Sequence, residues 1–208
     1  MPDQNMQKFL EGYRKFRSGY YRENKELIDQ LMNRGQFPTA MMIACSDSRI
    51  DPSLKFGVEP GDMFIVRNVA NLVPPFAPDT QAHGTSAALE FAVRVLQVKH
   101  VIVMGHAKCG GIKALVEHTG NDKGDFVTNW MQIAAPARDK ALAAHLPPAE
   151  TQHLCEHEAV KLSLQNLLTF PWVKAAVDAG KLELHGWYFD LGDGTLSVMD
   201  EGGKFSLA

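Results

Sequence analysis

A polar pentapeptide at residues 45–49 combines a thiol, a carboxylate and a guanidinium. It follows directly on the apolar run 41–44, which is typical of a short buried strand. In open α/β sheets, ligands bind just outside the carboxyl ends of the strands. Cys45, Asp47 and Arg49 are therefore candidates for a site, although a core thiol beside a turn-forming aspartate would give the same pattern.

A second polar stretch, residues 105–111, follows the continuously apolar run 101–104, as expected after a buried parallel strand. His106 and Cys109 have a His-x-x-Cys spacing, which lets both side chains reach one ion from a strand-to-helix turn. With Cys45 as the third ligand, the donor set suits zinc and leaves a fourth tetrahedral position open, as in catalytic sites. Taken singly, His106 also fits a buried core histidine and Cys109 a loop thiol. The two glycines that follow Cys109 also fit a phosphate-binding backbone loop at the start of a helix.

The composition is that of an ordinary globular protein. The chain has 208 residues, of which 45% are apolar and 22% charged, and a net charge of −3, so no basic surface for nucleic acid is expected. No apolar run approaches the ~18 residues that cross a bilayer, and the polar N-terminus has no signal-peptide core. Three cysteines in such a chain indicate reduced thiols. We therefore expect a cytoplasmic protein that binds neither nucleic acid nor membranes, with Cys155 as a structural core residue.

Periodicity predicts the elements that position the two polar stretches. Strands are predicted at 40–44, 62–67, 101–104 and 182–190, with a short edge strand at 195–199. Helices are predicted at 6–16, 24–34, 82–96, 112–118 and 126–169, the last interrupted near 147–148, and between Pro171 and Gly180; a turn-rich break is predicted at 121–124. This alternation indicates an α/β fold with a central, mostly parallel sheet of four strands plus the edge strand, flanked by helices.

The two helices that precede the first strand are predicted to form an arm rather than a βαβ unit. We therefore divide the chain into an N-terminal helical arm, residues 1–35, and a single catalytic α/β domain, residues 36–208. The aromatic residues of the arm indicate that it packs on something. A partner subunit and the arm's own domain are both compatible with the sequence.

Three motifs occur in the order found in β-class carbonic anhydrases: Cys-Ser-Asp-Ser-Arg at 45–49, Val-Arg-Asn-Val-Ala-Asn at 66–71 and Gly-His-Ala-Lys-Cys-Gly-Gly at 105–111. The chain resembles this family from about Gln36 to Gly111, and the segment 185–187 is similar to its last central strand. The resemblance implies a lyase with one Zn²⁺ per chain, held by Cys45, His106 and Cys109. It also implies reversible hydration of carbon dioxide to bicarbonate and a proton by zinc-bound hydroxide.

The resemblance further implies roles for the carboxylate and the guanidinium. Asp47 would accept a hydrogen bond from the zinc water and orient it, and Arg49 would hold Asp47 as a carboxylate through a bidentate pair. In some members of the family the same aspartate becomes a fourth zinc ligand that closes the site. Asp47 is therefore also a possible fourth ligand.

The plant-type substrate pocket of the family maps onto Gln36, Phe64, Val69, Phe91 and the backbone of Gly110. Mostly apolar walls suit carbon dioxide, which has no charge. At Phe91 the plant pattern has a tyrosine, so a hydroxyl is missing here. Because the family completes this pocket across a dimer interface, a homodimer or a dimer of dimers is expected.

Three alternatives remain beside the interpretation as a carbonic anhydrase. A hydrolase of carbonyl sulfide or carbon disulfide on the same scaffold would use identical ligands. A non-catalytic zinc or thiol sensor would need no water-orienting carboxylate, so the pair of Asp47 and Arg49 argues against it. A nucleotide-binding protein would need a P-loop lysine pattern or a GxGxxG fingerprint, and the sequence has neither.

Overall fold

The computed structural model of the protein describes residues 3–117, 124 and 126–208. Its contacts divide the chain into two units, Met1–Phe37 and Pro38–Ala208. The predicted turn-rich break at 121–124, except for Gly124, and the predicted helix end at His118 lie outside the described residues. The functional division into an arm for dimer packing and a catalytic domain stays a prediction.

The N-terminal unit is helical, as predicted. It consists of α1 (Gln4–Ser18), α2 (Tyr20–Glu23) and α3 (Lys25–Arg34). Gly35 ends α3 with a φ of 84°, a left-handed conformation that favours glycine. The apolar side chains of α1 are exposed, Phe9 by 64%, and their packing on a partner subunit stays a prediction.

The second unit is built on one six-stranded sheet. Its strands are β1 (Ala40–Cys45), β2 (Met63–Asn68), β3 (His100–His106), β4 (Glu183–Phe189), β5 (Leu196–Met199) and β6 (Phe205–Leu207). The strand order is β2-β1-β3-β4-β5-β6. The first four strands pair in parallel, and β5 and β6 add antiparallel pairs.

The mostly parallel sheet is confirmed, and one detail of the prediction is wrong. The edge of the sheet is β6 rather than the strand predicted at 195–199, so the sheet has one strand more than expected. A three-residue strand shows too little alternation of apolar and polar residues to be detected by period. Gly203, with a φ of 78°, forms the turn that brings β6 back beside β5.

Seven helices follow in the second unit among the described residues. They are α4 (Pro52–Phe56), α5 (Gly84–Glu90), α6 (Gly110–Glu117), α7 (Val127–Met131), α8 (Ala135–Ala143), α9 (Pro148–Leu167) and α10 (Pro171–Asp178). The helix predicted at 82–96 is α5 continued by a π-helical segment, Phe91–Leu96. No helix in the part of the chain that the structure describes is both long and apolar enough to cross a membrane.

Helix α9 packs closely on the centre of the sheet because two strand residues have no side chain. A Cβ atom on Gly105 of β3 would lie 2.6 Å from Cγ2 of Val160, and one on Gly186 of β4 would lie 3.0 Å from Cδ1 of Leu164. Both distances are shorter than ordinary carbon–carbon contacts. The two glycines therefore set the distance between α9 and the strands that lead towards the polar stretches.

Candidate metal centre

The register of the sheet brings the two polar stretches together. Cys45 ends β1 and His106 ends the neighbouring parallel strand β3, and Cys109 lies in the turn before α6. The ligand atoms of these three residues all lie within 4.8 Å of one another, and all three side chains are buried. The structure thus places the expected ligands at one point beyond the carboxyl ends of the strands.

His106 has the tautomer that a metal ligand needs, with Nε2 free to donate its lone pair. Its Nδ1 lies 2.9 Å from the carbonyl oxygen of Ala107 and donates a hydrogen to it, so Nε2 carries the lone pair. This buried Nε2 has no hydrogen-bond partner among the described residues, which is rare for a buried polar atom. A soft donor set of two thiols and one imidazole suits zinc rather than magnesium or calcium. The residues present therefore fit a zinc ion.

The surroundings of Cys45 favour its thiolate. Its Sγ lies 3.4 Å from the backbone nitrogen of Asp47, which donates to it. The pKa of Cys45 is lowered chiefly by the neighbouring Cys109 thiol and to a smaller extent by the Asp47 and Ala70 amides, while burial works in the opposite direction. The pKa of Cys109 is raised in turn, first by its hydrogen bond to Cys45 and then by burial. Cys45 is thus favoured as a thiolate, the form that binds metal ions.

Asp47 is held by Arg49 through both carboxylate oxygens. Nε of Arg49 lies 2.9 Å from Oδ1, and Nη2 lies 2.6 Å from Oδ2. These hydrogen bonds, followed by that from the Arg49 backbone amide, keep the pKa of Asp47 well below its usual range, against a smaller opposing effect of burial. Nη2 of Arg49 also donates to the carbonyl oxygen of Lys108 at 3.2 Å. Arg49 therefore joins Asp47 to the turn that carries two of the three ligands.

Both turns at the site contain left-handed backbone at residues other than glycine. Ala70 has a φ of 62° and Lys108 a φ of 55°, conformations that need support from their surroundings. For the turn at Ala70, the Asn68 side chain supplies it: Oδ1 accepts from the Leu72 amide at 2.9 Å and Nδ2 donates to the Leu72 carbonyl at 2.8 Å. These two hydrogen bonds fix the turn that carries the Ala70 amide, and this amide contributes to lowering the pKa of Cys45.

Arg67 of β2 organises the pentapeptide backbone, a role that sequence reasoning did not assign. Its Nε donates to the Cys45 carbonyl at 3.0 Å, its Nη2 to the Asp47 carbonyl at 2.6 Å and its Nη1 to the Asp51 carboxylate at 3.3 Å. Arg67 pairs in register with Ala44. A cation within an otherwise apolar strand was the available sequence signal, because such a residue must find acceptors nearby.

Glu156 of α9 was also given no role by sequence reasoning, although its carboxylate accepts a hydrogen bond from the turn that contains Cys109. It is 3% exposed. Oε1 accepts hydrogen bonds from the Cys109 amide at 2.9 Å and from Nε2 of Gln152 at 2.8 Å, and Oε2 accepts one from the Tyr188 hydroxyl at 2.7 Å. Nothing in the local sequence distinguishes this glutamate from an exposed one. Its neighbour Cys155 is fully buried, in keeping with a structural role.

The expected substrate residues fall into separate groups. Phe64 and Phe91 contact each other, with ring centroids 5.8 Å apart. Phe64 pairs with Met41, four positions before the pair of Asn68 and Cys45, which is about 13 Å along the strand. The phenylalanine pair therefore does not lie over the metal ligands of its own chain.

Val69 and Gly110, by contrast, lie beside the ligand turn. Cγ1 of Val69 is 3.0 Å from the position that a Cβ atom on Gly111 would occupy, and Gly110 directly follows Cys109. Val69 also lines a cavity of about 890 Å³ together with Trp130, whose indole donates to the Val69 carbonyl at 2.7 Å. Gln36 belongs to the N-terminal unit, and its role in the pocket stays a prediction.

Comparison with known sequences places the chain among carbonic anhydrases. The sequence model of the family described as carbonic anhydrase matches residues 40–196. Beta carbonic anhydrase 3 of Arabidopsis thaliana is 37% identical over 200 residues, which cover 94% of this chain and 77% of the relative.

Solved structures agree with this assignment. The β-carbonic anhydrase CcaA superposes with a TM-score of 0.92 at 33% identity, covering 99% of this chain and 93% of that chain. The Coccomyxa β-carbonic anhydrase in complex with acetazolamide gives 0.82 at 27% identity, with 93% and 86% covered. A tetrameric β-carbonic anhydrase from Sordaria macrospora gives 0.80 at 27% identity, with 99% and 97% covered. The chain therefore belongs to the β class of the carbonic anhydrase family.

Proposed function

We propose that the protein catalyses the zinc-dependent, reversible hydration of carbon dioxide to bicarbonate and a proton. The observation that carries this proposal is the buried group of Cys45, His106 and Cys109, with an unpartnered imidazole nitrogen, next to an ionised carboxylate. A zinc ion held by these residues would supply a Lewis acid that lowers the pKa of a coordinated water towards ~7.

In this mechanism Asp47 orients the attacking water. An ionised carboxylate accepts hydrogen bonds and donates none, so it fixes the direction of the water's hydrogen and leaves a lone pair for carbon dioxide. Arg49 maintains the ionised form and the position of Asp47 through the bidentate pair. Arg49 engages both oxygens of Asp47, so binding of Asp47 as a fourth ligand would require this pair to separate.

We assign the substrate pocket to two chains. Val69 and the backbone of Gly110 would line it next to the ligands of their own chain. Phe64, Phe91 and Gln36 would complete the pocket of a partner in a homodimer or a dimer of dimers. The distance of Phe64 from its own site supports this arrangement, as does the tetrameric state named for the Sordaria relative. The cytoplasmic location expected from the sequence stays a prediction.

Stopped-flow measurement of carbon dioxide hydration by the zinc-replete protein tests the proposal. Wild type should hydrate carbon dioxide well above the buffer rate, Asp47→Ala should retain zinc and lose most activity, and Cys109→Ala should lose both. Cys155→Ala is the matched control, because it removes a buried thiol that is not one of the three expected ligands. A zinc-loaded wild type with no activity refutes the function, and a Cys109→Ala protein that keeps zinc and activity refutes the ligand set.

The same preparations distinguish the hydrolase alternative. Carbonyl sulfide and carbon disulfide are supplied in place of carbon dioxide, and released sulfide is measured. Sulfide release without carbon dioxide hydration would assign the site to the sulfur analogues.

A further inference from the structure

A second group of metal-binding side chains lies at the other end of two of the same strands. His100 is the first residue of β3 and pairs in register with Glu183, the first residue of β4. His185 follows two positions later on β4. Side chains two apart on a strand project from the same face, and register partners share that face. Two imidazoles and one carboxylate therefore meet at the amino ends of the strands, remote from Cys45.

The ligand atoms of this group have the separations that one ion requires. Nδ1 of His100 lies 3.1 Å from Nε2 of His185, and Oε2 of Glu183 lies 3.6 Å from the first nitrogen and 3.7 Å from the second. The point equidistant from the three atoms lies about 2.0 Å from each, close to the ~2.0–2.2 Å of zinc–nitrogen and zinc–oxygen bonds. Only small side-chain movements are needed to complete the site.

The group is also accessible. The side chains of His100, His185 and Glu183 are 39%, 31% and 69% exposed, so an ion can enter and water can fill the remaining positions. His100 and Glu183 line a cavity of about 650 Å³. The backbone is fixed, since the Glu183 amide donates to the Lys99 carbonyl at 2.9 Å.

We propose that His100, Glu183 and His185 bind a divalent transition-metal ion such as Zn²⁺, Co²⁺ or Ni²⁺, separately from the ion assigned to Cys45. Imidazole ligands select these ions over Mg²⁺ and Ca²⁺, which prefer oxygen. The bound ion would link the first residues of β3 and β4, and it would replace the hydrogen bond between the two histidines. The proposal does not depend on carbon dioxide hydration, because it uses none of the residues of the first site.

Cobalt binding tests the proposal on untagged protein that carries a single equivalent of zinc per chain. Equilibrium dialysis against Co²⁺ should show one further equivalent per chain, with an absorption spectrum free of thiolate charge-transfer bands, which Co²⁺ exchanged into the cysteine site would produce. His100→Gln and His185→Gln should each weaken this equivalent at least tenfold and retain the zinc equivalent. Thermal unfolding midpoints should rise with Co²⁺ in wild type and not in these variants.

Two further variants keep the test decisive. His145→Asn is the matched control, because His145 is exposed and its left-handed backbone (φ 52°) suits asparagine; it should bind Co²⁺ like wild type. If a histidine variant fails to fold, Glu183→Gln at the most exposed ligand replaces it and should also weaken binding. No further equivalent in wild type, or equal affinity in wild type and the ligand variants, would overturn the proposal and leave a hydrogen-bonded histidine pair.

Discussion

Replacing Glu156 by alanine is expected to weaken zinc retention, although this carboxylate acts on the ligand turn and not on the ligand atoms. In wild type it accepts the Cys109 amide hydrogen at 2.9 Å and the Tyr188 hydroxyl hydrogen at 2.7 Å. Cys109 is 1% exposed and Tyr188 3%, so water cannot replace the lost acceptor without opening the structure.

The size of the effect of Glu156→Ala depends on which groups lose their hydrogen-bond partners. The Cys109 amide has no substitute acceptor in the observed contacts, and an orphaned buried donor costs about 1–3 kcal/mol. Tyr188 can turn its hydroxyl hydrogen towards Nδ1 of His153, 3.0 Å away, so the loss of its hydrogen bond to Glu156 costs less stability. We therefore expect a loss of about 1–3 kcal/mol in the free energy of unfolding and, because the turn holds a ligand, roughly 10–100-fold weaker zinc binding.

Competition with a chelator, followed by metal analysis, measures zinc retention, and denaturant unfolding at fixed protein and zinc concentrations measures stability. Glu158→Ala is the matched control on the same helix: this glutamate is also buried but pairs with Lys140 and Lys161 at 2.6 and 2.7 Å. It should lower stability and leave zinc retention unchanged. If Glu156→Ala retains zinc as wild type does, or if both variants lose it equally, the assigned positioning role of Glu156 is wrong.

Three further predictions concern packing, the pair of Asp47 and Arg49, and pH. Gly105→Ala should cost about 1–3 kcal/mol of stability through the 2.6 Å contact with Val160, and the double variant with Val160→Ala should lose less than the sum of the two single changes in denaturant unfolding. Arg49→Gln should keep zinc but lower kcat/KM for carbon dioxide roughly 10–100-fold, since Asp47 loses its fixed position; unchanged kcat/KM would argue against a positioning role of Arg49. Burial lowers the pKa of His157 to about 4, so the unfolded chain gains a proton that the folded chain does not between about pH 6.5 and 4. The free energy of unfolding should therefore fall as the pH falls through this window. His157→Gln should make its dependence on pH less steep, by less than the ~1.4 kcal/mol per pH unit of one fully linked proton, because the ring is only half-buried. An equal pH dependence in both proteins would contradict the lowered pKa of His157.

The sequence predicts most of the sheet and the ligand group because both depend on local features. Buried parallel strands are continuous apolar runs, and parallel register then brings the residues after β1 and β3 to the same edge, where Cys45, His106 and Cys109 lie. Glu156 could not be predicted in the same way, because its partner amide lies 47 residues earlier in the chain. The edge strand β6 was missed because it is too short for a periodic signal.

The close packing of α9 also determines where damaging substitutions should fall. One face of this single helix carries Val160, which contacts the strand residue before His106, and Glu156, which holds the turn of Cys109. A small translation of α9 would therefore alter two zinc ligands together, even though the helix contributes no ligand. In a library selected for loss of metal retention, substitutions should concentrate on this buried face as densely as at the ligands themselves, and their effects should be relieved by compensating changes in volume elsewhere on the same helix.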